Sequence, residues 1–311
     1  MTKKEIFLVT GGCGFIGSHI VDKLIEEKKE VVVLDNLSTG TLKNLNHSAT
    51  FYHGDASDKI LGNQIFQQHK FDYVIHQASK INVSAIQEDP FHDLDSSVIS
   101  TINLSQNCIK FKVKKLIFAS SVAVYGQSKV LPASENSQID PIYSYGISKH
   151  TAESYLKYFS RYYKFNFEIL RYSNVYGPRQ PIFGEVGVIA IYTDKIIKNE
   201  PLIIFGNGEN LRDYVYVSDV VNFTMHSVTL KGSSIFNVGS GIPTSVNQVF
   251  SEFQNQSLKK IKPVYKPERL GEIGSFYCEI GRALKTGWEP NVKLKKGIEN
   301  TIRFFNNEKY E

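Results

Sequence analysis

The sequence predicts a doubly wound α/β fold, with a parallel sheet covered by helices on both faces and a smaller C-terminal lobe. Three observations predict it. Short apolar runs rich in β-branched residues alternate with helical patterns through the first half of the chain. Most of those runs are apolar at every position, as strands buried on both faces tend to be. A glycine-rich turn joins the first run to the first helix, where such folds bind ligands.

The first strand is read over Ile6-Phe7-Leu8-Val9, and Ile16, Ile20, Val21 and Leu24 then share one helical face. Val31-Val32-Val33-Leu34, Phe51-Tyr52, Val74-Ile75, Leu116-Ile117-Phe118 and Phe167-Glu168-Ile169-Leu170 continue the series. Helices are predicted over 93–111 and 145–163. After residue 174 Gly and Pro become frequent, as in Tyr176-Gly177-Pro178-Arg179 and Phe205-Gly206-Asn207-Gly208, and the elements shorten. The division predicted is a dinucleotide-binding domain over 1–173 and a substrate lobe over 174–311. Segments such as 213–240 are expected to return to the first domain.

Composition narrows the function classes. With 311 residues, 41% hydrophobic and 22% charged, the chain can bury an ordinary core. The net charge of +5 is spread along the chain, with only short clusters such as Lys28-Lys29, so no nucleic-acid stripe is expected. Cys13, Cys108 and Cys278 form no CxxC pair, and the 8 histidines show no ligand spacing. That argues against a disulfide frame or a metal site and for a reducing cytoplasm. No run approaches the roughly 20 apolar residues of a membrane span.

Gly11, Gly14 and Gly17 form GxxGxxG between the first strand and the first helix. Such a run is weak by itself. In this setting glycine lets the backbone approach a pyrophosphate, and the helix N-terminus offers it free N–H groups. Asp35 ends the second strand, where a carboxylate accepts from both ribose hydroxyls and repels a 2′-phosphate. No basic residue follows in Asn36-Leu37-Ser38-Thr39-Gly40, so NAD is favoured over NADP. Gly54-Asp55-Ala56 and His76-Gln77-Ala78-Ser79 follow the next strands and are placed around the cofactor by the fold.

Tyr145 and Lys149 lie four apart on one helical face. A phenol ionises at about 10, and a nearby ammonium together with an oxidised nicotinamide favours the phenolate. Lowering it by about three units takes roughly 4 kcal/mol. Ser120 or Ser121, at the end of the fifth strand, can hydrogen-bond a reacting hydroxyl and share its proton with Tyr145.

With these motifs in place, the sequence resembles the UDP-glucose 4-epimerase group of extended short-chain dehydrogenases/reductases over nearly its whole length. Further matches are Arg171-Tyr172-Ser173-Asn174-Val175-Tyr176-Gly177-Pro178-Arg179, Arg212-Asp213-Tyr214-Val215-Tyr216-Val217, Phe236-Asn237-Val238-Gly239-Ser240-Gly241, Gly271-Glu272 and Gly287-Trp288-Glu289-Pro290. The resemblance implies a Rossmann domain, NAD as cofactor and a UDP-sugar as substrate. It implies Ser121, Tyr145 and Lys149 as catalytic residues. The implied cofactor contacts are Gly11, Gly14, Phe15, Ile16, Gly17, Asp35, Asn36, Ser38, Asp55, Ala56, Gln77, Ala78, Ser79, Ser97, Tyr145, Lys149 and Tyr172. Ser121, Asn174, Ile189, Ile204, Phe205, Arg212, Arg269, Glu272 and Phe276 are the implied substrate contacts, with Ile204 and Phe205 flanking the uracil. The guanidinium groups of Arg212 and Arg269 suit a diphosphate. Phe276 matches a position that sizes the sugar pocket, where a phenyl ring fills the space of an N-acetyl group.

The implied reaction oxidises carbon 4 of the sugar, turns the 4-keto sugar over and reduces its other face. Related dehydratases and decarboxylases carry an acidic residue beside the catalytic Ser or Thr, and here that stretch reads Ser120-Ser121-Val122. Ser79, Ile86, Ser97, Leu270 and Gly274 depart from common family residues and bear on which sugar is taken, including N-acetylglucosamine and glucuronate forms. Relatives pair the helices matching 93–111 and 145–163, so a homodimer is expected.

Overall fold

The computed structural model describes residues 4–79, 90–182, 187–256, 261–268 and 273–308. The strands are β1 (Ile6–Thr10), β2 (Glu30–Asp35), β3 (Thr50–His53), β4 (Tyr73–His76), β5 (Lys115–Ser121), β6 (Phe167–Tyr172), β7 (Asn174–Tyr176), β8 (Ile203–Phe205), β9 (Leu211–Tyr216), β10 (Ser234–Val238), β11 (Pro243–Ser245) and β12 (Val264–Lys266). Every run predicted as a strand in the first half is one, most extended by a residue or two and β5 by four.

A seven-stranded sheet has the order β10-β6-β5-β4-β1-β2-β3. β1 pairs in parallel with both β2 and β4. Successive connections leave β1 in opposite directions, so the sheet opens a crevice at the carboxyl ends of β1 and β4, the place where such sheets bind ligands. Leu8, Val32, Val74, Leu116 and Ile169 from five strands form the floor of one apolar core.

Helices α1 (Phe15–Glu26), α2 (Lys59–Gln68), α3 (Pro90–Asp93), α4 (Ser100–Lys110) and α5 (Ser144–Tyr163) follow the strands. Ile65 and Phe66 of α2, Leu104 and Cys108 of α4, and Leu156 and Phe159 of α5 close that core. The single helix expected over 93–111 is a correction. α3 passes into a π-helical segment, Leu94–Ile99, before α4 begins. The physical reason is side-chain competition for backbone carbonyls. Ser100 Oγ donates to the Ser96 carbonyl at 2.6 Å and Thr101 Oγ1 to the Ser97 carbonyl at 2.5 Å, which satisfies oxygens that the wider turn frees.

The remaining helices are α6 (Val188–Ile197), α7 (Val217–Thr229), α8 (Val246–Gln256), α9 (Gly281–Leu284) and α10 (Leu294–Glu308). The chain forms two compact units. One holds 1–126, 141–171 and 221–236, and the other holds 127–140, 172–220 and 237–311. Residues 127–140 join the second unit because Ala133 bridges Cys278 and Asn237 Nδ2 donates to the Ala133 carbonyl. Inside that unit β9 pairs with β7 in parallel and with β11 antiparallel, and Tyr192 of α6 meets Phe253 of α8 edge-on. All three cysteines are buried free thiols. Among the described residues no helix is long and apolar enough to cross a membrane.

One buried ion pair ties three elements of the first unit together. Arg171 at the end of β6 donates from Nε and Nη2 to both carboxylate oxygens of Glu153 on α5, at 2.8 and 2.6 Å. Ser120 Oγ of β5 donates to the same carboxylate at 2.6 Å, and Arg171 Nη1 reaches the Tyr125 hydroxyl. Both charged side chains are almost fully buried. Burial pushes the Glu153 carboxyl up, yet Arg171 and the other donors outweigh it and hold it down to about 2. Glu153→Ala leaves Arg171 buried and uncompensated, so a loss of about 3–5 kcal/mol is expected in urea unfolding at neutral pH. Because the folded carboxyl lies below its ordinary 4.5, the stabilisation is full above that pH. It drains away as pH falls through about 2, and stability curves of wild type and variant should converge there.

Candidate active site

β1 ends at Thr10 and the chain turns through Gly11, which has φ of 71°. Gly14 then sits at the N-cap of α1. A Cβ on Gly17 would stand 2.0 Å from the Gly11 carbonyl oxygen, so the first turn of α1 lies directly on the strand-to-helix turn. This closeness keeps the backbone N–H groups at the N-terminus of α1 uncovered and gives a diphosphate a cradle with no side chain in the way. Phe15 and Ile16 are half-buried beside it.

Asp35 is buried at the end of β2. Its carboxylate accepts from the Cys13 amide at 2.9 Å and the Leu37 amide at 2.8 Å. Each oxygen retains acceptor capacity, so the group shapes the turn and can still take ribose hydroxyls. Asn36 Nδ2 donates to Asp55 at 2.6 Å, and the Ser57 amide donates to its other oxygen. Burial raises the Asp55 carboxyl, but these donors prevail and leave it below its ordinary range, hence ionised and accepting. Asn36 and Ser38 are exposed, with the Ser38 amide donating to Asn36 Oδ1. Ala56 is buried.

On the other side of the switch point, a chain of hydrogen bonds passes through His76. Ser100 gives its hydroxyl proton to the Ser96 carbonyl, so at 3.0 Å it accepts from His76 Nε2. Nδ1 is then the bare nitrogen and accepts from Thr10 Oγ1 at 2.7 Å, while that oxygen accepts from the Ala78 amide at 3.3 Å. Burial, reinforced by the charge of Lys149, pushes His76 down to about 3, so it is neutral and held in one tautomer. The chain fixes Gln77, Ala78 and Ser79 against Gly11. Ser79 Oγ lies 3.3 Å from Ser97 Oγ on the π segment, which brings those two sequence-predicted residues together.

Ser121, Tyr145 and Lys149 are also brought together. A Cβ on Gly146 would stand 2.7 Å from the Ala123 carbonyl, so α5 starts hard against the 3-10 turn Val122–Tyr125 that follows β5. Tyr145 thereby reaches Ser121, whose Oγ also accepts from the Ala123 amide at 3.1 Å. Lys149 Nζ donates to the Ala119 carbonyl at 2.7 Å and lies 4.8 Å from the Phe118 ring centre and 5.7 Å from that of Tyr145.

The electrostatics describe the pair without the oxidised nicotinamide that the expected phenolate also requires. Burial pushes Tyr145 up to about 12, with the Ser121 hydrogen bond opposing and the negative charge of Asp93 adding to the rise. Burial also pushes Lys149 down to about 7 against the pull of Asp93 and Glu153. Burial therefore holds the phenol protonated in the chain alone.

In the second unit, Asp213 is a buried hub. Its carboxylate accepts from the Ser240 amide and hydroxyl, the Gly241 amide and the Cys278 thiol. Its carbonyl accepts from Ser173 Oγ and Asn174 Nδ2. Next to it, Arg212 Nη1 and Nη2 donate to the carbonyls of Gly274 and Ile273 at 2.6 and 2.7 Å. The Phe276 amide donates to the Leu211 carbonyl. Arg212, Asn174 and Phe276 thus cluster around β9. Ile189 and Ile204 are buried, and Phe205 beside Ile204 is half-exposed. Tyr172 is buried at the end of β6. Arg269 and Glu272, with Ile86 and Leu270, lie outside the described residues.

Three residues escaped the sequence reading: Asp93, Glu153 and Asp213. Glu153 carried a signal, being four residues beyond Lys149 on the buried face of one helix.

A glycine turn, a strand-end carboxylate and a Ser–Tyr–Lys cluster on one sheet now stand beside the comparisons with known proteins. The NAD dependent epimerase/dehydratase family matches residues 7–239. The chain belongs to that family. It is similar to UDP-glucose 4-epimerase of Thermotoga maritima, solved with UDP-glucose, at 42% identity over 97% of this chain and 99% of that one, with a TM-score of 0.94. Against UDP-glucose 4-epimerase of Thermus thermophilus, solved with NAD, identity is 33%, coverage 97% and 99%, and TM-score 0.89. Against UDP-N-acetylglucosamine 4-epimerase of Methanobrevibacter ruminantium, solved with UDP-N-acetylmuramic acid, they are 31%, 99% and 100%, and 0.93. The chain is an NAD-dependent enzyme of this family, and the resemblance read from its motifs holds.

The cradle predicts a binding defect. Gly17→Ala forces the Gly11 turn or α1 to move, at an overpacking cost of about 1–3 kcal/mol. Calorimetric titration should show NAD bound about 5- to 150-fold more weakly than by wild type.

Proposed function

We propose that this enzyme interconverts UDP-glucose and UDP-galactose by inverting carbon 4 of the sugar through a transient 4-keto sugar. The observation that carries the reading is the Ser121–Tyr145–Lys149 cluster beside the carboxyl end of β5, in the unit that carries the glycine turn. NAD, held by the glycine turn and Asp35, would supply hydride transfer at carbon 4 and a positive charge when bound.

In this reading Tyr145 takes the proton of the sugar 4-hydroxyl and later returns it, while Ser121 holds that oxygen by hydrogen bonding. Lys149 supplies an ammonium beside the phenol. The high position of Tyr145 in the chain alone fits a base that ionises only when a second cation arrives. Gly11, Gly14 and Gly17 cradle the dinucleotide, Asp35 holds its ribose, and Asn174 and Arg212 hold the nucleotide diphosphate. Ser120-Ser121-Val122 supplies no carboxylic acid beside the cluster, which favours epimerisation over elimination. The exposed Ile147, Tyr155, Tyr158, Tyr162 and Tyr163 of α5 give a homodimer its contact face.

Purified enzyme incubated with a panel of UDP-sugars should yield the 4-epimers of UDP-glucose and UDP-galactose by NMR, with no accumulation of reduced cofactor. Tyr145→Phe should slow this on the order of 100- to 10,000-fold. Stoichiometric release of reduced cofactor would sink the reading, as would a variant keeping more than about a tenth of the rate.

Phe276 is 5% exposed, packed next to β9 and Arg212. Its ring occupies the room an acetamido group needs, worth about 1–3 kcal/mol or roughly 5- to 150-fold. Wild type should therefore prefer the plain sugars in kcat/KM, and Phe276→Ala should shift the ratio toward the N-acetyl forms. A wild-type preference for N-acetyl sugars, or an unmoved ratio, contradicts this.

A further inference from the structure

Lys149 is an ammonium in a place that disfavours one. It is 2% exposed, above the Phe118 ring, with the Ala119 carbonyl as its hydrogen-bond partner. The groups around it come from five elements: neutral His76 from β4, Tyr145 and Glu153 from α5, Asp93 from α3, Phe118 from β5, and Arg171 from β6 behind Glu153. Two of these are carboxylates, and they are not equivalent. Glu153 accepts two bonds from Arg171 and one from Ser120, so its charge is shared with a partner.

Asp93 differs. It is 1% exposed, and its negative charge acts on Lys149. Its hydrogen-bond donor is the hydroxyl of Ser144, the residue before Tyr145. On its own segment His92 is half-buried and Asp95 is exposed to water. A buried carboxylate with one hydroxyl donor is costly unless a cation shares the region.

We propose that Asp93 is a positioning residue for the proton-transfer pair: its negative charge favours the ammonium form of Lys149, and its bond to Ser144 fixes the turn that carries Tyr145. This rests on the reading of Tyr145 as base and Lys149 as its cation. Removing a negative charge makes both neighbours more acidic. The rising limb of the kcat–pH profile, where Tyr145 sheds its proton, and the falling limb, where Lys149 sheds its own, therefore move the same way.

The test uses full-length enzyme with NAD and UDP-galactose. Asp93→Asn keeps an acceptor for Ser144 but removes the charge, and both limbs should move to lower pH by about one unit. Ser144→Ala keeps the charge and removes the bond; its kcat should fall with the limbs in place. A structural role alone would lower the height of the Asp93→Asn profile without moving it, and coincident limbs would overturn the proposal. If Asp93→Asn does not fold, Asp93→Ser carries the same expectation, and failure of both overturns it too. An active Tyr145→Phe would instead sink the reading of the site, so the two failures are distinguishable.

Discussion

The chain of hydrogen bonds through His76 sets the geometry on which the cofactor side of this fold depends. A parallel sheet that reverses its winding direction leaves two strand ends side by side, and nothing in the sheet ladder fixes what lies beyond them. Here Thr10, His76 and Ser100, all buried, join the ends of β1 and β4 to the start of α4 with one consistent direction of donors. The direction requires a neutral ring, and burial enforces it. The same serine frees the π segment from ordinary helical pairing by occupying the Ser96 carbonyl. One imidazole therefore fixes both the wall formed by Gln77, Ala78 and Ser79 and the position of Ser97 opposite it.

Next to that neutral relay the unit carries a second, charged one. Arg171, Glu153 and Ser120 lock β6, α5 and β5 beneath the Ser–Tyr–Lys cluster. Such a pair offers rigidity more than net stability, since the desolvation of two ions offsets much of their attraction. Its placement beneath the cluster holds three elements at fixed spacing while adding little net charge to the site. Burial dominates the protonation of both Tyr145 and Lys149. A phenol so placed is quiescent in the absence of further positive charge, which limits unwanted proton transfer to water.

Much of the first unit was legible because its signals are short-range. Strands apolar on both faces, such as Val31-Val32-Val33-Leu34, admit one reading, and a glycine turn between strand and helix admits few. Tyr145 and Lys149 were legible because helical spacing alone puts them on one face. The break at Leu94–Ile99 was not, since apolar periodicity averages over a turn and does not register hydroxyls competing for carbonyls. Asp93 was hidden for a related reason: an aspartate near a helix start reads as a solvated cap, and only long-range packing buries it. In the second unit, strands of three residues carry too few positions for a pattern, so Ile204 and Phe205 read alike although one is buried and the other half-exposed. The hub at Asp213 depends on Ser240, Gly241 and Cys278, distant in sequence and joined only by the fold.

The three buried cysteines make the wild-type chain its own set of reporters. Thiol reagents attack the thiolate. Burial pushes Cys13 up to about 12, and Cys108 and Cys278 well above their ordinary value, so each is silent while its surroundings are closed. Cys13 lies in the glycine turn, Cys108 on α4 against the core, and Cys278 beside Asp213. The three labelling times would therefore rank how often the cofactor turn, the helical layer and the second unit's hub breathe open. Local unfolding could be mapped in both units without inserting a foreign probe.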